Sequence, residues 1–392
     1  MADKKIMKNK ILVLVNKYPN DYERNICVFI QQLIWQFADL GYDCSVISPL
    51  AVNLNIRYFN LTEVTYEYTE NNKRITVYRP KYFSLGQGDG PFQKNRVSFT
   101  TNSYENIVRA TIGKYSINFD FIYSHFLCPS GVVAARLGKI YNVPSFMAHG
   151  EALYAGDEKY GNSVLKKELL NLTGVIAVSS QNRDFLVHAG VINQEIVGVF
   201  PNGFRKERFH QIDKCFCRKY FRFPEDAFIV GIVGSFDDRK GIFRLEQACD
   251  RLENVYFVCA GSGEQIPRSK KCLFASSVDH SDLPFFYNAL DVFVLPTLNE
   301  GCCNAIVEAI ACGCAIISSD RSFNYDICDK SNSILINPND IQEISDSIQY
   351  LKDNPSILKC LCEGSVKKAK LLDLESRAKN ILNFIKNKAF ES

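Results

Sequence analysis

The chain has 392 residues, long for one hydrophobic core and suited to two domains. Its 46% hydrophobic and 23% charged content is that of a folded globular chain, and 46 basic against 43 acidic residues leave a net charge of +3, too balanced for a protein whose main partner is nucleic acid. No apolar run approaches the roughly 18 residues of a membrane-spanning helix.

Residues 4–10 are basic and read as a solvated tail, with weak contact to anionic lipid as the second reading. The apolar run 11–15 is too short for a signal-peptide core, so a cytoplasmic location is expected. The 15 cysteines fit a reducing compartment, because many lie inside apolar runs, where a free thiol behaves as a small hydrophobe. The Cys-x-Cys pairs at 215, 312 and 360 lack zinc-site spacing, and no metal is expected.

Strand-like and helix-like runs alternate along the chain. The first half predicts strands at 11–15, 44–48, 75–79, 119–123, 145–148, 175–178 and 196–200, with helices at 28–40, 130–141 and 181–189. Residues 80–105, rich in glycine, asparagine and aromatics without periodicity, read as a loop region. Pro201-Asn202-Gly203 is a turn signal that closes this series, and residues 206–224 read as an irregular linker. The second half predicts strands at 228–233, 255–259, 292–295, 315–318 and 333–336, helices at 242–252, 284–289, 305–311 and 341–351, and a last helix at 372–388. Short continuous apolar strands between helices indicate parallel α/β sheets, whose ligands bind at the carboxyl ends of the strands.

Chemistry concentrates in the second half. The segment Asn299-Glu300-Gly301-Cys302-Cys303-Asn304-Ala305-Ile306-Val307-Glu308-Ala309 follows a buried strand and opens a helix near Asn304. Unpaired N–H groups at such a helix start suit a diphosphate, Glu300 in the loop can meet the group attached to it, and Glu308 can reach a ribose diol. The plainer reading makes Glu308 a solvated helix carboxylate and Glu300 a helix-start residue. Gly234-Ser235-Phe236-Asp237-Asp238-Arg239-Lys240-Gly241 is a turn between strand and helix in which Arg239 and Lys240 can neutralise a diphosphate. Gly261-Ser262-Gly263 ends another strand, and its glycines read as structural before anything else. In the first half His149 ends a strand in Ala148-His149-Gly150-Glu151, and His125 ends another.

Taken together, these segments resemble the retaining glycosyltransferases of family 4, with their E-x7-E signature and GT-B fold. The likeness covers almost the whole chain and is strongest over 230–338. It implies two Rossmann-like domains facing a central cleft: an acceptor-side domain over 1–203, a donor domain over 204–371, and a helix over 372–392 that crosses back to the first. It assigns catalysis to Glu300, Lys240 and His149. It assigns donor binding to Ser235, Arg239, Gly261, Gly263, Gly301, Cys302, Cys303, Asn304, Ala305 and Glu308. Ser235 stands where the family has an arginine, with Arg239 as its substitute. Arg205 replaces the aspartate of the family's hinge, and the glycine of its first loop is absent. The implied donor is a nucleoside diphosphate sugar, UDP-linked first and GDP-linked second, used without a metal or other cofactor. The implied acceptor is a glycan or lipid-linked glycan of a surface polysaccharide, met at the inner face of the cell membrane. Two alternatives stand beside this reading: a nucleotide-sugar epimerase of the same fold, and a sugar-binding subunit without catalysis.

Overall fold

The computed structural model describes residues 9–86, 88, 90, 92–152 and 155–391. The basic run at 4–10 therefore lies largely outside the described residues. The chain forms two units, one made of everything up to Phe200 together with Ala378 onward, the other of Pro201–Arg377.

The first unit carries β1 (Lys10–Val15), β2 (Asp43–Ile47), β3 (Leu50–Ala51), β4 (Val64–Tyr68), β5 (Arg74–Tyr78), β6 (Lys81–Tyr82), β7 (Phe121–His125), β8 (Ser145–His149), β9 (Gly174–Ala177) and β10 (Val197–Val199). Eight of them form one sheet in the order β10-β9-β8-β7-β1-β2-β5-β4, parallel except for β4 against β5, while β3 pairs with β6. Every residue of β7 and β8 is buried, because helices cover both faces; this is why these strands read as unbroken apolar runs. In register, Val15 of β1 lies beside His125 of β7, and His149 of β8 beside Ala177 of β9.

Two expectations are corrected here. Residues 93–105, read as loop, belong to the helix Gln93–Lys114. Its buried stripe is Val97, Thr100, Thr101, Tyr104, Val108, Thr111 and Ile112, so three of seven inward positions are threonines and no apolar period shows. The hydroxyls of Thr101 and Thr111 bond back to the carbonyls of Val97 (2.8 Å) and Ile107 (2.7 Å), which lets a polar side chain face the core. Within the supposed linker lies the helix Lys214–Phe221, whose Asp213 caps the Phe216 N–H at 2.8 Å. Its inward arginine, Arg218, pairs with Asp291 at 2.7 Å, and an apolar pattern search misses such a residue.

The second unit holds β11 (Phe228–Val233), β12 (Val255–Ala260), β13 (Cys272–Ser276), β14 (Val292–Leu295), β15 (Ala315–Ser319) and β16 (Ser333–Ile336), all parallel in the order β13-β12-β11-β14-β15-β16. The chain builds outward from β11 to β13, then crosses to the other side of β11 to lay down β14. The strand order reverses between β11 and β14, and the segments leaving their carboxyl ends emerge side by side, the usual place for a ligand.

The last helix, Leu374–Glu391, leaves the second unit and enters the first. There the Phe384 ring meets Phe146 and Phe200 at centroid distances of 6.5 and 5.4 Å. Among the described residues no helix is long and apolar enough to cross a membrane.

Candidate active site

The site is built on the turn after β11 and the loop after β14. Asp237 organises the turn: its carboxylate accepts the Ser235 hydroxyl at 2.6 Å and the Lys240 N–H at 2.9 Å. Burial would raise this carboxyl, but the Ser235 hydroxyl and the Lys240 N–H outweigh it and hold Asp237 below the usual carboxylate range. Ser235 is thus a turn former bonded to Asp237. Gly241 has φ +83°, and a Cβ there would lie 2.8 Å from the Pro296 carbonyl. The Leu298 N–H donates to the Arg239 carbonyl at 2.8 Å. These contacts lock residues 239–241 against residues 296–298 and bring the two sequence motifs together.

Three predicted residues meet there. Lys240 Nζ lies 2.6 Å and Arg239 Nη1 2.5 Å from Glu300 Oε1, and the Thr297 hydroxyl donates to the same oxygen at 3.1 Å. Lys240 is only 8% exposed. Burial alone would lower its ammonium; the neighbouring Cys303 and Glu300 outweigh that and hold its pKa above the ordinary lysine value. The site therefore keeps a permanent positive charge in a dry setting, where it acts on an anion more strongly than in water.

Gly301, Cys302 and Cys303 lead into the helix Asn304–Ala311, as the spacing predicts. Cys303 is its N-cap and no side-chain oxygen caps the first turn, so the N–H groups at Ala305 and Ile306 meet only the weakly accepting Cys303 sulfur. Lys240 Nζ stands 3.7 Å from that sulfur. Burial pushes the Cys302 thiol up to about 12 and raises Cys303 too, so neither cysteine is a thiolate nucleophile.

Asn202 is a positioning residue that sequence reasoning left as a hinge. Its Nδ2 donates to the Cys302 carbonyl at 3.1 Å and to Asn304 Oδ1 at 2.8 Å, and its N–H reaches Cys302 Sγ at 3.3 Å. The Pro-Asn-Gly turn was the available signal. Asp237 and Tyr287 were also missed, since each acts through a hydrogen bond that no motif spells out.

Glu308 lies one helical turn on. The Tyr287 hydroxyl donates to Oε2 at 2.8 Å, and burial pushes the Glu308 pKa up to about 7 against the pull of Tyr287 and Arg208. Gly261 and Gly263 have φ +154° and +152°. A Cβ on Gly261 would lie 1.8 Å from the Gly234 carbonyl, and one on Gly263 2.5 Å from the Phe236 carbonyl. Both glycines let the turn after β12 lie against the turn after β11.

His149 belongs to the first unit, at the end of β8, where it is fully buried. Its Nδ1 pairs with Glu151 Oε2, and its Nε2 has no partner among the described residues. Glu151 Oε1 also accepts the Leu127 N–H at 2.6 Å. Burial would raise the Glu151 carboxyl, yet His149 and these N–H groups hold it at about 2. An ionised carboxylate on Nδ1 fixes the ring and leaves Nε2 open to a further hydrogen bond.

The arrangement of paired cations and a helix end without a side-chain oxygen cap is one that can hold an anion. Residues 216–368 match the family described as glycosyl transferases group 1. Over 353 residues the chain is 26% identical to TuaC of Bacillus subtilis, named a putative teichuronic acid biosynthesis glycosyltransferase; this covers 86% of the chain and 88% of that relative. Among solved structures, the sucrose-phosphate synthase of Thermosynechococcus elongatus superposes with a TM-score of 0.75 at 19% identity, covering 97% of this chain and 99% of that one. HepE of Anabaena, in complex with UDP, superposes at 0.73 and 17% identity, covering 96% and 100%. The fold is GT-B, with two Rossmann-like units.

Proposed function

We propose that this chain is a retaining glycosyltransferase that moves a sugar from a nucleoside diphosphate sugar, UDP-linked in preference to GDP-linked, to a glycan or lipid-linked glycan acceptor in surface polysaccharide synthesis. The observation that carries the reading is the convergence of Lys240, Arg239 and Glu300 beside an uncapped helix end at the β11–β14 switch point. TuaC's name favours a cell-surface glycan, and the UDP held by HepE favours uridine in the donor.

In this reading Lys240, Arg239 and the N–H groups at Asn304 and Ala305 hold the diphosphate, and Glu308 takes the ribose hydroxyls. Glu300 and the Gly301–Cys303 backbone take sugar hydroxyls, and His149 gives a hydrogen bond to a sugar hydroxyl through Nε2. The bond from the sugar's anomeric carbon to the diphosphate breaks while the acceptor oxygen bonds to that carbon on the same face. The acceptor's proton passes to the departing phosphate oxygen. Catalysis then comes from stabilising the charge that develops on the leaving group, which Lys240 and Arg239 supply without a divalent metal. Chelation by EDTA is expected to leave turnover unchanged. Work at the inner membrane face would be by peripheral contact.

Calorimetric titration with UDP, GDP and ADP, without metal and beside Lys240→Ala, tests the donor site. Selective binding of one nucleotide, weakened about tenfold or more by the substitution, is the expected result. Indifference to all three would remove the reading. With a donor in hand, NMR of the product's anomeric configuration decides retention, and conversion of the sugar nucleotide without acceptor would show an epimerase instead.

A further inference from the structure

The first unit carries an apolar surface that the candidate site does not use. Leu54, Ile56, Phe83, Leu85, Phe92 and Phe99 are exposed, from 48% at Phe99 to 81% at Phe92. They lie on three stretches that are bonded to one another. The Asn53 side chain donates to the Ser84 carbonyl at 2.7 Å and accepts the Ser84 N–H at 2.9 Å. The Leu85 N–H donates at 3.1 Å to the hydroxyl of Thr100, in the helix Gln93–Lys114. Phe92 stands at the start of that helix with φ +56°, a left-handed backbone that a bulky side chain holds at a cost. One exposed leucine needs no explanation, but large apolar side chains gathered on a bonded set of segments mark a contact surface.

Charge narrows what covers it. The charged side chains among the described residues of 53–60 and 81–100 are Arg57, Lys81, Lys94 and Arg96, all basic. The acidic residue of these stretches, Asp89, lies outside the described residues. Arg57 and Lys94 are exposed. A second copy seated face to face would set these cations against their own kind. A protein partner is disfavoured too, because lysine is depleted at protein interfaces. An anionic bilayer accepts both kinds of side chain, its acyl boundary taking the apolar ones and its phosphates the basic ones. The same segments border a cavity of about 520 Å³, lined by Asn16 and Ser48 past the carboxyl ends of β1 and β2 and by Leu54, Tyr82 and Ser84. Leu54 belongs both to the exposed surface and to the cavity wall, so whatever covers the surface lies beside the cavity.

We propose that this face of the first unit seats the chain on an anionic lipid bilayer. The apolar side chains enter the acyl boundary, Arg57 and Lys94 meet lipid phosphates, and the cavity lies beside the membrane surface, where a lipid-linked acceptor presents its glycan. The inference rests on the proposed function for that acceptor alone, and it assigns the membrane contact to folded residues instead of the basic run at 4–10.

Co-sedimentation of the full chain with vesicles of phosphatidylcholine, alone and mixed with phosphatidylglycerol, tests it. The wild type is expected to bind the mixed vesicles about tenfold more tightly than the neutral ones, and to be released as sodium chloride rises. Phe92→Asn with Phe99→Gln should weaken binding to the mixed vesicles about tenfold or more. Asparagine suits the left-handed backbone at 92 and glutamine the helix at 99, so the fold is kept, which an unchanged melting temperature checks. Arg57→Gln with Lys94→Gln should remove most of the preference for the anionic vesicles. No binding to either vesicle, or binding that neither pair of substitutions alters, would overturn the inference. So would binding that both pairs leave intact and that is lost when Lys4, Lys5 and Lys8 become glutamine. A wild-type dimer in size-exclusion chromatography that Phe92→Asn with Phe99→Gln splits, with vesicle binding unchanged, would make the surface an interface between copies instead. UDP calorimetry on the same samples separates the two readings. If UDP binds and vesicles do not, this inference fails alone; if vesicle binding depends on the surface while no nucleotide binds, the donor reading fails and this one stands.

Discussion

At the scale of single residues, Glu300 and Glu308 are eight positions apart in sequence and have different hydrogen-bond and charge partners. Glu300 sits between two cations and the Thr297 hydroxyl, whereas partly buried Glu308 accepts the Tyr287 hydroxyl. Replacing Glu300 by glutamine keeps the shape and removes the charge. Transfer should fall by about a hundredfold or more while UDP binding stays within a few-fold of wild type; turnover assays beside calorimetry check this, and a parallel loss of binding would place Glu300 on the nucleotide instead of the sugar. For Glu308 the raised pKa sets a pH signature. A carboxylate that must accept ribose hydroxyls works only when ionised, so nucleotide affinity should climb as pH rises through about 7 and then level off. Glu308→Gln should flatten that climb. The same shift bears on stability with the opposite sense: the folded chain binds a proton here that the unfolded chain has released. Stability therefore declines as pH rises from the unfolded glutamate value near 4.5 through about 7, and the glutamine variant should lack this slope in thermal melts.

At the scale of elements, the site depends on three turns meeting. Asn202 bonds the Cys302 carbonyl and the Asn304 side chain, so Asn202→Ala should loosen the helix start, raising the donor KM about tenfold at a stability cost of about 1–2 kcal/mol. An unchanged KM in steady-state kinetics would make Asn202 a structural hinge and nothing more. Gly261→Ala places a Cβ 1.8 Å from the Gly234 carbonyl, which neither backbone can avoid. It should destabilise the second unit by about 3 kcal/mol or more, read as a lowered melting temperature. Elements with continuous apolar strands were legible in advance, β14 and β15 among them, because burial on both faces writes itself into composition. The helix Gln93–Lys114 was not, because threonines that bond their own backbone stand in its buried stripe. Lys214–Phe221 escaped for a related reason: it turns an arginine inward and satisfies it with Asp291.

At the scale of the whole molecule, the chain passes from the first unit to the second at Phe200–Pro201 and returns at Arg377–Ala378. The return is secured by buried Ile381, Leu382 and Ile385 and by Phe384 against Phe146 and Phe200. Phe384 also stands over Gly174 and Gly198, where an added Cβ would come within 3.1 Å of its ring. Phe384→Ala should destabilise the first unit by about 2 kcal/mol and speed amide exchange in β8 to β10, while exchange in β11 to β16 stays as in wild type. Equal acceleration in both sets of strands would show that the two units unfold as one.

The sequence by itself determined the alternation of strand and helix, the start of the helix at Asn304 and the two motifs that hold Lys240 and Glu300. Each is a local property, set by burial, turn chemistry or capping within a few residues. Tertiary structure decided which distant groups meet. The reversal of strand order around β11 brings Lys240 to within 2.6 Å of Glu300, sixty residues away, and Tyr287 to Glu308. Neither of these follows from spacing, because a parallel sheet is ordered by crossovers that no short stretch of chain encodes.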